Sequence, residues 1–124
     1  MYSLSSPNAP QPSGPFSQGS SAARYVFISG QLPITAEGQK LTEASIGSQT
    51  VQVIKNIEAI LADVDLTISD VCKTTVYLAD LSDLAAVDEV YSERFEKPYP
   101  ARSVLEVSRL PHGARIQMEA VACR

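Results

Sequence analysis

The chain has 124 residues, 44% of them hydrophobic, with ten Lys and Arg against fourteen Asp and Glu, one His and two Cys. That length suits one domain with a real core and excludes two, and the apolar content excludes a disordered chain. A net charge of -4 argues against a broad nucleic-acid or anionic-membrane surface, and charge interrupts every apolar run well before the ~18 residues of a membrane span.

Residues 1–20 are rich in Ser, Pro and Gly. Their start, MYSLSSPNAP, lacks the basic and apolar regions of a secretory leader, so the expected location is the cytoplasm. The organisation predicted is a single domain over residues 1–124, with 1–14 as a flexible arm. Within GPFSQG, Phe16 is the one large apolar residue of a polar stretch, and a short extra strand is placed near it. RYVFISGQLP then reads as a strand, with Tyr25, Phe27, Ser29 and Gln31 on one face and Val26 and Ile28 on the other. Gly30 inside it predicts a bulge or a close backbone approach.

Ile46, Thr50, Val51, Val53, Ile54, Ile57, Ile60, Leu61 and Val64 recur at three- and four-residue steps, which predicts a long helix lying across a sheet. Thr42 is the expected N-cap region, and Gln49, Gln52, Lys55 and Glu58 fall mostly away from the apolar stripe. DVCKTTVYLADL is rich in β-branched residues and reads as a strand. A second helix, capped by Ser82, buries Leu84, Val87, Tyr91 and Phe95, with Asp88 at the stripe's edge. Pro98 and Pro100 end it.

The last third reads as a hairpin, ARSVLEVSRL and ARIQMEAVAC joined at PHG. A turn between Pro111 and His112 would set Glu106 across from Gln117 and Val104 across from Glu119, in line with Arg102. Ser103, Leu105 and Val107 would then take the helices. The result is an α+β layout, a mixed sheet with two helices packed on one face. The other face, with Tyr25, Phe27, Val104 and Val121, is too apolar for water and predicts self-association. His112, the only histidine, removes a Cys/His zinc site and a His-based triad within one chain. Cys72 and Cys123 read as small, buried, free thiols of a reducing compartment. Arg102, at the mouth of its strand, is either a solvated strand end or an anion clamp.

The phrases NAP…GPFSQG, ISGQLP, KTTVYLADLSDLAAVDEVY and PYPARSVLEV…LPHGARIQMEAVA, in this order, closely resemble the reactive intermediate deaminase family, also called RidA or YjgF. The resemblance covers nearly the whole chain. It implies a chorismate-mutase-like fold, a homotrimer whose sheets form a central barrel, and ligand sites in clefts between subunits. It further implies cofactor-free hydrolysis of small 2-enamino or 2-imino acids to 2-oxo acids and ammonia, and the acidic balance leaves neither nucleic acid nor membrane as an expected partner. A ribonuclease or translation-inhibitor activity, attached to some relatives, is opposed by the acidic balance.

Carried onto this chain, the family's carboxylate-binding arginine is Arg102, whose planar fork suits a carboxylate through two charge-assisted bonds. Ser29 and Gly30 match a pair that lines the same cleft, and Val104 stands where many members have cysteine. Three positions depart from the pattern. Phe16 replaces a tyrosine, Asp88 an asparagine, and Gln117 the glutamate that positions or activates the hydrolytic water. An amide orients water but is no useful general base at neutral pH. Glu119 keeps the same parity but lies about 6–7 Å further along the strand. The residues assigned to catalysis are therefore Arg102 and Gln117, and those assigned to substrate binding are Arg102, Phe16, Ser29, Gly30, Val104 and Asp88. A non-catalytic trimeric binder of small carboxylates is the alternative reading, prompted by Gln117.

Overall fold

Helix α1 (Ile46–Ala62) starts where Ser45, in extended conformation, accepts a hydrogen bond from the Ser48 amide at 3.2 Å. This cap lies three residues beyond Thr42, because only a side chain directly before the first turn reaches its free N–H groups. Val53, Ile54, Ile57, Ile60 and Leu61 are completely buried along one face. Gln49 and Asn56 are buried too, against the expectation that Gln49 faces away. Both are tied to backbone: Asn56 Nδ2 donates to Leu32 O and Ile34 O, and Gln49 joins Thr42 O and Ala44 O to the Arg115 amide. Burying an amide without partners is costly, so these side chains fix where the flanking loops dock.

The computed structural model describes residues 1–124. The strands are β1 (Tyr2–Leu4), β2 (Gly19–Ala22), β3 (Tyr25–Gln31), β4 (Val71–Leu78), β5 (Ala101–Glu106) and β6 (Ile116–Cys123), with α2 (Leu84–Arg94) between β4 and β5. They form one mixed six-stranded sheet in the order β1-β2-β3-β6-β4-β5. Both helices pack on one face, over Val26, Ile28, Thr74, Val76, Leu78, Ile116, Met118 and Ala120, as expected for an α+β domain. No helix is long and apolar enough to cross a membrane.

The expected hairpin does not form. β5 runs parallel to β4, and β6 lies antiparallel between β3 and β4. The reason is the helix that precedes β5: a strand–helix–strand unit returns parallel beside its first strand. The chain then passes the end of β4, where Leu78 pairs with both Glu106 and Ile116. Tyr77 therefore stands opposite Gln117, and Thr75 opposite Glu119. The inferred pairings of Glu106 with Gln117 and Val104 with Glu119 are absent. The faces of β5 are also reversed. Arg102 and Val104 share the helix side with Thr74 and Val76, and Ser103 and Leu105 join the open face with Thr75 and Tyr77. Val104 accordingly packs against the core.

Two bulges shift other expectations by one residue. Pairing of β3 with β6 slips between Ile28 and Gln31, the irregularity predicted at Gly30, and it turns Gln31 into the interior, 6% exposed, instead of onto Ser29's face. A slip between Val71 and Lys73 buries Val71 and leaves Cys72 exposed. Cys123 is half-buried, so the reading of both thiols as buried fails, although both are free.

The N-terminal residues form no loose arm. Leu4 is 4% exposed on edge strand β1, and Ala9 is fully buried. Gln18 holds this segment, accepting from the Ser6 amide at 2.6 Å and donating to Ser6, Ala9 and Pro10 carbonyls. The 3-10 turn Leu81–Asp83 that leads into α2 is capped by Asp80, which accepts from the Ser82 amide and hydroxyl, bonds that hold its carboxyl below the usual range. The helix α2 itself follows Asp83, which makes no side-chain cap, so Ser82 caps neither. His112 and Gly113 both adopt positive φ in the connection to β6, the turn role expected of them. The open face exposes Tyr25 by 50%, Phe27 by 45% and Leu105 by 43%. Its apolar character is thus as expected, with Leu105 in the place given to Val104.

Candidate ligand clefts on the two sides of the sheet

Arg102 is the second residue of edge strand β5, directed toward α2 by the alternation of the strand. Its Nη1 donates to Asp88 Oδ1 at 2.5 Å, the one side-chain hydrogen bond it makes. The guanidinium carbon lies 4.8 Å from the centre of the Tyr91 ring, a cation–π distance. Tyr91 is itself fixed: its hydroxyl bonds Thr74 Oγ1 at 2.7 Å, and its ring stacks on Phe95 with centroids 4.2 Å apart. Burial raises the Tyr91 phenol above its ordinary range, against smaller opposing effects of the Thr74 bond and of Arg102. The arginine thus rests on a stiff support.

Beside it opens a cleft of about 330 Å³ lined by Asp88, Tyr91, Ser92, Tyr99, Pro100 and Arg102. The Arg102 side chain keeps 26% of its surface exposed and that of Asp88 46%. Access and preorganisation coexist here. Pro100 leads directly into β5 and shapes the wall that holds Tyr99. Sequence reading assigns Asp88 to the substrate site with Arg102, but it leaves Tyr91 in the core stripe without linking it to Asp88. The available signal was their three-residue spacing on one helix, which puts both on the face nearest the strand.

The remaining assigned residues lie elsewhere. Gln117, on β6, faces the open side with Tyr77. Its side chain lies across Gly30, where an added Cβ would stand 2.9 Å from Gln117 Cδ and closer still to the amide nitrogen. Only a glycine leaves room for that close approach. Ser29 Oγ donates to Ser17 O at 2.6 Å, and the Ser29 amide donates to Gln18 O, so the Phe16 segment is stitched to β3. Phe16 is 55% exposed and shares a smaller cleft of about 80 Å³ with Gly30, Gln31 and His112. Glu119 does not stand in for a base beside Gln117. Its carboxylate accepts the Tyr77 hydroxyl, a bond that holds the Tyr77 phenol above its ordinary range.

One chain therefore contains two separate groups. Arg102, Asp88 and Val104 lie on the helix side at one edge of the sheet, whereas Gln117 and Gly30 lie toward the open side, near Phe16 and Ser29. Strand β4 stands between β5 and β6. The helix-side group can hold a small anion; the other can hold a water or a carbonyl through an amide and backbone.

Comparison with known proteins is consistent along the whole chain. The family model described as endoribonuclease L-PSP matches residues 6–124. A RutC family protein of Pyrococcus abyssi is 47% identical over 114 residues, spanning 92% of this chain and 90% of that protein. The 2-iminobutanoate/2-iminopropanoate deaminase of Homo sapiens is 37% identical over 119 residues, spanning 96% and 87% of the respective chains. Among solved structures, E. coli TdcF with bound serine superposes with a TM-score of 0.93 at 32% identity, covering 100% of this chain and 99% of that one.

Proposed function

The chain belongs to the endoribonuclease L-PSP family, the RidA and YjgF proteins, and from that premise we propose that it hydrolyses small 2-imino acids in clefts completed between copies of the chain. The observation that carries this reading is Arg102, an accessible guanidinium braced by the Tyr91 ring at the wall of a cleft sized for a small acid. Its fork receives the substrate carboxylate through charge-assisted bonds. The water-holding group, Gln117 over Gly30, comes from a neighbouring copy, because the two groups lie apart within one chain. The exposed Tyr25, Phe27 and Leu105 give those copies an apolar surface to share. A homotrimer is the assembly in keeping with the family.

The chemical step is the addition of water to C2 of the protonated imine. Water oxygen bonds to C2 as the C=N π pair moves to nitrogen, and one water proton passes to that nitrogen. The C–N bond then breaks with its pair on nitrogen as the C2 carbonyl forms and the second water proton follows, so that the products are the 2-oxo acid and ammonium. A protonated imine is already electrophilic, so holding water and substrate together supplies much of the acceleration. Gln117 can orient that water but not deprotonate it. The function requires no cofactor.

The test generates 2-iminopropanoate or 2-iminobutanoate in situ with an amino-acid oxidase and follows 2-oxo acid release. The expected result is faster release with the protein than without, and a further gain for Gln117→Glu, which supplies a base. Equal rates with and without the wild-type protein overturn the proposal. A second reading, capture of small carboxylates without turnover, is favoured by Gln117 and Phe16. It is distinguished by an inert wild type that still binds 2-oxo acids and becomes active only as Gln117→Glu. A ribonuclease reading gains no support from a chain of net charge -4 whose Arg94, Arg102 and Arg115 are each paired with a carboxylate.

A further inference from the structure

The Arg102 clamp is not a bare positive charge. Asp88 Oδ1 stands 2.5 Å from Nη1, and Asp88 lines the same cleft with its side chain 46% exposed. A ligand reaching the guanidinium therefore also meets a carboxylate. The other N–H groups of Arg102 make no hydrogen bond within the chain, and Asp88 Oδ2 accepts none. The cleft wall thus presents a positive and a negative group side by side, each with unused hydrogen-bonding capacity.

Resting on the reading of the cleft as a carboxylate site, we infer that Asp88 makes it selective for zwitterions: 2-iminium or 2-ammonium acids, in preference to 2-oxo acids of the same length. A 2-oxo acid brings only negative charge. Its carboxylate is drawn to Arg102 but repelled by Asp88, and its keto oxygen has no hydrogen to offer the aspartate. A 2-iminium acid carries a cationic N–H group one carbon from its carboxylate. Its two charges are spaced closely enough to engage two partners that are themselves in hydrogen-bond contact, carboxylate on Arg102 and nitrogen on Asp88. Both members of the receptor pair then exchange part of their mutual bond for charge-assisted bonds to the ligand. Opposed charges in a partly desolvated cleft interact strongly enough for roughly tenfold discrimination or more.

For the proposed reaction, the same pairing separates substrate from product. The iminium nitrogen is held by Asp88 while water adds at C2, and its departure as ammonium removes the one group that Asp88 binds. The remaining 2-oxo acid faces an unbalanced carboxylate and leaves more readily. Asp88 is here a specificity-determining residue and an aid to product release, and the water is oriented from elsewhere.

L-alanine and pyruvate share a three-carbon skeleton and differ only at C2, so they serve as the probes in calorimetric titrations of the wild type, Asp88→Asn and Arg102→Ala. The wild type is expected to bind L-alanine at least tenfold more tightly than pyruvate. In Asp88→Asn that preference narrows by at least tenfold, through weaker alanine binding and tighter pyruvate binding. Arg102→Ala loses both ligands. A wild type that binds pyruvate as tightly as alanine overturns the inference by itself, whatever the variant's folding. So does an unchanged ratio in a folded Asp88→Asn protein, and in both cases the clamp survives if Arg102→Ala still abolishes binding. Full retention of both ligands by Arg102→Ala would instead sink the underlying reading of the cleft.

Discussion

The two faces of the sheet solve opposite problems. On the helix side the apolar residues of the sheet are covered by the two helices, and Arg102, at the accessible edge, is balanced by Asp88 and braced by Tyr91. On the open side aromatic rings remain exposed, and the polar groups Tyr77, Glu119 and Gln117 lie in the middle of the sheet without a covering layer. The first face is finished by the chain itself. The second has the composition of a surface awaiting another copy, apolar around a satisfied polar centre. The proposed site, which takes groups from both, would be complete only when copies meet.

Cutting into the finished face has the largest effect. Ile57→Ala, at a fully buried position on α1, is expected to cost about 2–5 kcal/mol of folding stability, read by chemical denaturation. Phe27→Ala on the open face is expected to leave the fold's secondary structure intact and to weaken self-association, read by analytical ultracentrifugation. Equal losses of secondary structure in the two variants would erase the distinction between the faces.

Arg102→Ala comes next. Removing a charge-assisted fork costs about 2–4 kcal/mol of carboxylate affinity, on the order of a hundredfold, while the melting temperature stays close to wild type. Gly30→Ala tests the other group. The added methyl displaces Gln117, and the expected result is roughly tenfold slower imine hydrolysis with substrate affinity little changed, because positioning and not binding is disturbed.

The smallest effect separates two tyrosines. Burial is the main reason the Tyr91 phenol titrates late, whereas for Tyr77 it is the bond to Glu119. Glu119→Gln should therefore return Tyr77 toward its ordinary value of 10.0 and leave Tyr91 unmoved, as followed by phenolate absorbance. Each phenol holds its proton longer in the folded state than in the unfolded one. The stability each contributes is complete below about pH 10 and is lost as pH rises through its folded-state value.

Local chemistry was legible in the sequence; long-range partnership was not. The periodicity of Ile46–Leu61, the β-branched run Val71–Leu78 and the irregularity at Gly30 each express a constraint among near neighbours. The pairing of β5 depends on whether a preceding helix returns it beside β4, and a short turn phrase such as PHG reads as a hairpin when that context is ignored. Once β5 was given the wrong partner, Val104 went to the wrong face and Arg102 to the same side as Gln117. The residue types proposed for the site are readable from the sequence, yet their separation across the sheet is not, because it is a property of strand order. Gln18 and Gln49 were unremarkable as polar letters, since only their distant backbone partners make them structural.

Strand β6 follows all the other strands in sequence yet lies in the interior of the sheet, with β3 on one flank and β4 on the other. Until β6 is in place, the earlier strands have no common seam, and neither half of the sheet can close. Closure of this sheet therefore depends on its most distant contacts. Loss of β6 would divide the sheet internally, where trimming an outer strand would only narrow it.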